Sequence, residues 1–331
     1  MEQPILEVKG LKKHFPIKTG IFNKTIGYVK AVDGIDFNVF PGETLGIVGE
    51  SGCGKSTASR TVMRLLEPSA GEIWFQGKNL AELSNEEMRR MRKDIQIVFQ
   101  DPYASLNPRK TIKQILLEPL KVHGIGSSRQ EKLSMVEEII EVVGLRKEHL
   151  DRHPHHFSGG QRQRIGIARA LILKPKVIIA DEPVSALDVS IQSQILNLLK
   201  DLKKEFQLTL IFISHDLSVV KHQCDRIAVM YLGKVVEIAD KQKLFGNPSH
   251  PYTQALLSAL PVASPGAKRE RIILQGDLPS PANPPSGCTF HPRCPRAMEV
   301  CKGEVPSLLP IGGGQQVACL LYQEISKTGS Y

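Results

Sequence analysis

The stretch GESGCGKST, residues 49–57, constrains this chain more than any other part of its sequence. It fits the phosphate-loop pattern GxxxxGK followed by Ser or Thr, with Gly49, Gly54, Lys55 and Ser56 in the required places. In such a loop, here Gly49, Glu50, Ser51, Gly52, Cys53, Gly54, Lys55, Ser56 and Thr57, the glycines let consecutive backbone N–H groups turn onto a phosphate chain. Lys55 is placed to reach the β- and γ-phosphates, and the Ser56 hydroxyl to take a position on Mg2+. The mechanism needs a strand before the loop and a helix after it. The apolar run Leu45 to Val48 supplies the first, and Ser59 to Leu66 reads as the second.

At 331 residues the chain has room for about two domains. No apolar run approaches the roughly 18 to 20 residues that span a bilayer, and the opening MEQPILEVKG carries no secretory core, so work at a membrane implies being held there by partners. The formal charge of +9 suits an anionic ligand, an acidic lipid surface or nucleic acid equally well.

Residues 5 to 40 read as β-rich: Ile35, Phe37 and Val39 alternate with Asp36 and Asn38, and the segment from Pro16 to Tyr28 reads as an inserted hairpin or loop. Further strands are expected at Glu72 to Gln76 and Ile95 to Phe99. Helices are expected at Thr111 to Leu117 and Arg129 to Val143, which suggests a helical subdomain inserted into the core at about residues 101–165. Val177 to Ala180 and Leu208 to Ile213 are short, uninterrupted and β-branched, as strands buried on both faces should be.

Asp181 and Glu182 follow the first of these runs, at the strand end where open α/β sheets place their ligands. Asp181 can hold Mg2+ opposite Ser56, and Glu182 can polarise a water that attacks the γ-phosphate. In FSGGQRQR, residues 157–164, Ser158 and Gln161 have capping-box spacing. A cap does not require Gly159 and Gly160, which cost a helix up to about 1 kcal/mol each; both suit a helix start that approaches an anion closely.

The set GESGCGKST, Gln100, FSGGQRQR, VIIADE at Val177 to Glu182, SALD at Ser185 to Asp188, and His215 resembles, in that order, the ABC-type ATPases over roughly residues 5 to 240. The resemblance implies an α/β phosphate-loop core with an antiparallel β subdomain and an inserted helical subdomain. It implies two subunits packed head to tail, each ATP lying between one subunit's phosphate loop and the other's Ser158, Gly159, Gly160 and Gln161. Gln100 is then expected to touch Mg2+ or the attacking water, His215 the γ-phosphate, and Asp188 the dimer seam. Phe15, or Tyr28 beyond the insertion, is expected to stack on adenine. LKKHF, AVDGIDF, VFQDPYASLNPR, ADEPVSALDVSIQ, ISHDLSVV, MYLGKVVE and HPYTQALL are similar to the ATP-binding subunits of oligopeptide and dipeptide importers, more to their F-type than their D-type member. That similarity implies ATP hydrolysis at the cytoplasmic face of the inner membrane, a second ATPase subunit that is a different chain or another copy, two transmembrane permease subunits, and indirectly a peptide-binding protein. An importer of nickel or another small solute is the alternative within the subfamily. A soluble ABC ATPase acting on nucleic acid or ribosomes is the rival from another class, but such chains usually carry two cassettes or a long coiled-coil insertion, and neither is present.

Residues 1–260 are thus read as the nucleotide-binding domain and 261–331 as an extension, opening with a proline-rich connector from Pro261 to Gly287. Cys288, Cys294, Cys301 and Cys319 follow, with five, six and seventeen residues between successive members and His291 beside them. The spacing lacks the paired CxxC knuckles usual for zinc and leaves a zinc site and an iron–sulfur cluster equally open. The importer resemblance implies a 4Fe-4S cluster.

Overall fold

The computed structural model describes residues 3–20, 23–260 and 271–327, which divide into two compact units. The first unit takes residues up to Val39, Leu45–Ala81, and the chain from Ser214 onward; the second takes Phe40–Thr44 and Glu82–Ile213. The first ten residues of the expected connector, 261–270, lie outside the described residues.

The first unit opens with β1 (Leu6–Thr19) and β2 (Lys24–Val39), an antiparallel hairpin paired from Leu6 opposite Val39 to Thr19 opposite Lys24. The segment read as an insertion is the outer half of this hairpin, with Pro16 opposite Tyr28. Ile35, Phe37 and Val39 are buried while Asp36 is exposed, so the period-two pattern correctly marks one buried face. β3 (Thr44–Val48), buried throughout, leads into the phosphate loop, and α1 (Lys55–Val62) leaves it. β4 (Ala70–Phe75) and β5 (Lys78–Asn79) complete a four-stranded antiparallel sheet of order β2-β1-β4-β5. α1 starts four residues earlier than the expected Ser59, because Gly54 in the left-handed region at φ +106° is its N-cap and no side chain caps it. It also ends earlier, before Arg64 turns left-handed at φ +49°.

In the second unit, α2 (Asn85–Met91) precedes β6 (Ile95–Val98), followed by α3 (Ile112–Val122), α4 (Arg129–Val142) and α5 (Gly159–Leu171). β7 (Val177–Asp181), α6 (Val189–Phe206) and β8 (Thr209–Ser214) follow. β8, β7 and β6 are parallel neighbours, and every residue of β7 and β8 is buried, as their unbroken apolar runs require. α3 carries Pro119 in its interior and continues to Val122, past the expected end at Leu117. Its apolar face, Ile112, Ile115, Leu116 and Leu120, is buried, which outweighs the hydrogen bond that Pro119 forfeits.

Back in the first unit come α7 (Leu217–Gln223), β9 (Arg226–Tyr231), β10 (Lys234–Asp240), α8 (Lys241–Gly246) and α9 (Pro251–Ser258). The extension adds β11 (Leu309–Gly312), β12 (Gln315–Val317) and α10 (Leu320–Lys327). β3 pairs parallel with β9, β9 antiparallel with β10, and β12 with β10, so the extension continues the sheet that presents the phosphate loop. At this join Glu237 is fully buried and accepts hydrogen bonds from Ser249 N–H (2.8 Å), His250 N–H (2.9 Å) and the Gln315 amide (2.7 Å). Three donors around one carboxylate replace the water it loses.

Candidate active site

In the first unit, the phosphate loop is shaped by two glycines that no other residue can replace. A Cβ at Gly49 would lie 2.2 Å from the Met230 carbonyl oxygen, and one at Gly54 would lie 2.1 Å from that of Ala31. Both obstacles are backbone, so neither can step aside. Lys55 is 4% exposed, and its amine donates to the Gly49 (2.8 Å) and Glu50 (3.0 Å) carbonyls. The cation is thereby stored against the loop it would serve. Cys53 is buried beneath the loop, where burial raises its thiol pKa against the opposing effect of Lys55. Ser51 and Gly52 form the exposed rim, while Ser56 and Thr57 are half-buried at the start of α1.

Glu50 is held twice. Its N–H donates to the Tyr252 hydroxyl at 3.1 Å, and its carboxylate lies 3.1 and 3.4 Å from the Arg293 guanidinium. Neither pairing was expected from the sequence: Tyr252 stands 202 residues away within HPYTQALL, which carried no assignment to the loop, and Arg293 stands 243 residues away.

The two candidate adenine-stacking aromatics occupy adjacent register positions of the first hairpin. Phe15 lies opposite Val29 and Tyr28 opposite Pro16, which places their side chains on opposite faces of the ribbon. Phe15 is half-buried with the Lys13 amine 5.1 Å from its ring centre, whereas Tyr28 is 52% exposed. His215 is exposed just after β8, beside Asp216, which caps α7 by accepting from Ser218 N–H at 2.7 Å.

In the second unit, Asp181 closes β7 fully buried. Glu182 follows in the left-handed region at φ +47°, which costs a residue with a Cβ about 1–2 kcal/mol. The Glu182 N–H donates to the Ile213 carbonyl (3.1 Å), and the Glu182 carbonyl accepts from the Ser185 hydroxyl (3.1 Å), holding this turn. Its carboxylate accepts from the Gln100 amide at 2.9 Å. Two residues assigned separate roles from the sequence, 82 positions apart, thus meet directly.

Ser158 caps α5 with the full capping box: it accepts from Gln161 N–H at 3.4 Å, and its own N–H donates to the Gln161 side chain at 3.1 Å. Ser158 is exposed. Gly159 and Gly160 have a reason within the chain that sequence reasoning missed. A Cβ on Gly160 would lie 2.4 Å from Ile191 Cγ2, and one on Gly159 would lie 3.2 Å from Leu187 Cδ2. Beyond the cap, Arg162 stacks on the Tyr103 ring at 3.8 Å and donates to the Pro154 carbonyl at 2.7 Å, tying the segment after Gln100 to this helix. Asp188 is the N-cap residue of α6, exposed and without a side-chain capping bond.

In the extension, Cys301 and Cys319 are buried, and Cys288 and Cys294 are half-buried. Cys288 N–H donates to the Cys301 carbonyl at 2.9 Å. Burial, aided by the neighbouring thiols Cys288, Cys294 and Cys301, pushes the Cys319 thiol up to about 11. Burial likewise raises Cys288 and Cys294. Nevertheless, among the described residues no three or more His, Cys, Asp or Glu side chains form a group that could hold a metal ion. His291 sits 2.9 Å from the Cys288 carbonyl through its Nδ1.

Two family descriptions match the chain: ABC transporter over residues 32–185, and oligopeptide/dipeptide transporter C-terminal region over residues 236–301. The chain is 57% identical over 324 residues to the oligopeptide transport ATP-binding protein AppF of Bacillus subtilis, covering 97% of this chain and 98% of that one. The chain belongs to the ABC transporter ATP-binding proteins. Within this family it is also 52% identical over 319 residues to a putative peptide import ATP-binding protein of Brucella ovis, covering 96% and 98% of the two chains. Among solved structures, a dimeric ATP-binding cassette in a post-hydrolysis state, bound to ADP and Pi, matches with TM-score 0.63 and 30% identity over 71% of this chain and 98% of that one. The ABC match takes in the phosphate loop, Gln100, the α5 cap and Asp181–Glu182; the C-terminal match takes in Cys288, Cys294 and Cys301 and stops short of Cys319. No helix among the described residues is long and apolar enough to cross a membrane.

Proposed function

We propose that this ABC ATPase hydrolyses ATP to energise the uptake of dipeptides or oligopeptides by a membrane importer. The observation that carries the hydrolytic part is the left-handed turn at Glu182, whose carboxylate is held by Gln100. Backbone strain of this kind clusters at active sites, and here the strained residue also carries the carboxylate that Gln100 holds. The cargo reading is supported by the match to the peptide-transporter C-terminal region and by full-length relatives bearing peptide-transport names.

In this reading Lys55 leaves the Gly49 and Glu50 carbonyls to meet the β- and γ-phosphates, while the loop N–H groups close around them. Ser56, Gln100 and Asp181 are assigned to Mg2+, which would supply positive charge against the phosphates. Glu182 accepts the proton of the attacking water once Gln100 releases its carboxylate, and His215 is assigned to the γ-phosphate. Ser158, Gly159, Gly160 and Gln161 are assigned to the ATP of a second subunit, packed head to tail, and Phe15 or Tyr28 to adenine. Two permease subunits at the cytoplasmic face of the membrane would receive the motion, with a peptide-binding protein delivering cargo from the other side.

The test is ATP hydrolysis by the complete importer in vesicles. Peptide-loaded binding protein should raise the rate and drive labelled peptide inward; stimulation by nickel and not by peptide would move the assignment to the small-solute reading.

We also propose a 4Fe-4S cluster on Cys288, Cys294, Cys301 and Cys319. Support comes from four thiols in the extension that act on one another's ionisation and from the peptide-transporter C-terminal match, which takes in three of them; zinc on the same cysteines is the alternative. Its effect would be to fasten the extension.

A further inference from the structure

We propose that Arg293 in the C-terminal extension is a positioning residue for the phosphate loop: it neutralises Glu50 and fixes the loop in its phosphate-ready form, so that the extension sets the affinity for ATP. The inference rests on the ATPase reading above and goes beyond it in giving the extension a role in the reaction.

Glu50 follows the first glycine of the loop, so its carboxylate stands in the segment that must accept a polyanion. An unpaired carboxylate there would oppose the triphosphate by like-charge repulsion. Arg293 removes that charge: one guanidinium nitrogen lies 3.1 and 3.4 Å from the two carboxylate oxygens, with the Arg and Glu side chains only 11% and 28% exposed. A pair this sheltered is less weakened by water and salt than a surface pair.

The extension reaches the same residue by a second route. Phe290 is buried against Tyr231 (5.2 Å between ring centres) and Tyr252 (5.4 Å), and these two tyrosines lie 4.7 Å apart. The Tyr252 hydroxyl receives the Glu50 N–H. Arg293 therefore holds the Glu50 side chain, while Phe290 supports the group that holds its backbone. Gly49, Gly52 and Gly54 make the loop permissive, and ordering it before nucleotide arrives lowers the entropy cost of binding. Arg293 immediately precedes Cys294, so this arm and the cysteine segment are one piece of chain.

The experiment is steady-state hydrolysis against ATP concentration by the complete importer carrying this subunit as full-length wild type, Arg293→Gln, Arg293→Lys, Glu50→Gln or the double variant Glu50→Gln/Arg293→Gln. Arg293→Gln should raise KM for ATP about five- to tenfold with kcat within twofold. Arg293→Lys, which keeps the charge but loses the fork, should recover most of the loss and provides the readout if the glutamine variant does not fold. In the Glu50→Gln background, Arg293→Gln should change KM less than twofold, because no carboxylate remains to be neutralised. A KM unchanged by Arg293→Gln, or raised equally in both Glu50 backgrounds, would overturn the proposal and leave Arg293 a packing residue. Absence of hydrolysis in the wild type would instead remove the ATPase reading beneath it.

Discussion

Replacing Gly160 by alanine adds one methyl group at the point where α5 meets α6, and the added Cβ would lie 2.4 Å from Ile191 Cγ2. Carbon atoms rest at about 3.5–4.0 Å, so the two helices must part by roughly 1 Å or Ile191 must leave its rotamer. Ile191 is β-branched within a helix and stiff at χ1, which closes the second escape. Overpacking of this kind costs about 1–3 kcal/mol, and alanine returns up to about 1 kcal/mol of helix propensity. A clash this close belongs in the upper part of that range, giving a net loss of about 1–2 kcal/mol and a fall in Tm of about 2–4 °C or more. Thermal melts of four proteins decide the matter: wild type, Gly160→Ala, Ile191→Ala and the double variant. With Ile191 cut back the obstacle is gone, so Gly160→Ala should be neutral or stabilising by up to about 1 kcal/mol in that background. An equal penalty with and without Ile191 would refute the packing reason for this glycine.

Stability should fall as the pH drops below about 6.5. His250 is wholly buried, and burial lowers its pKa to about 3, so the folded chain refuses a proton that the unfolded chain accepts. That difference costs about 1.4 kcal/mol per pH unit, about 2 kcal/mol by pH 5, and His250→Gln should flatten the slope of urea midpoints over that window. Glu237→Leu should cost at least about 3 kcal/mol, read from denaturation midpoints, because Ser249 N–H, His250 N–H and the Gln315 amide would lose a buried charged acceptor together. Protein purified without oxygen should carry about four irons and four sulfides per chain; stoichiometric zinc, or neither metal, would remove the cluster.

Much of this chain was legible because its strongest signals are local. β7 and β8 announce themselves as unbroken apolar runs, β2 as alternation, and the phosphate loop and the α5 cap as residues at fixed spacing. The misreadings have physical causes. Pro119 looks like a stop, yet the buried face of α3 carries the helix through it. α1 begins at Lys55 without a side-chain cap, because Gly54, left-handed at φ +106°, turns the chain into the helix. β11 and β12 are four and three residues long, too short for a periodic signal, and exist because β10 offers an edge. Gly159 and Gly160 carry no sign of Leu187 and Ile191 in their neighbourhood, so their packing reason appears only in three dimensions. The same is true of Gln100 beside Glu182 and of Arg293 beside Glu50, pairings made by tertiary structure across 82 and 243 residues.

The claim on which the rest depends is that Glu182 activates water at the γ-phosphate while the phosphate loop binds the nucleotide. Glu182→Gln keeps the shape of the side chain and removes its basicity, so nucleotide binding and single-turnover hydrolysis should be measured on this variant in the same preparation. The expected result is wild-type affinity for ATP, within about threefold, with the hydrolysis rate lowered by at least about 100-fold. Turnover at the wild-type rate would contradict it.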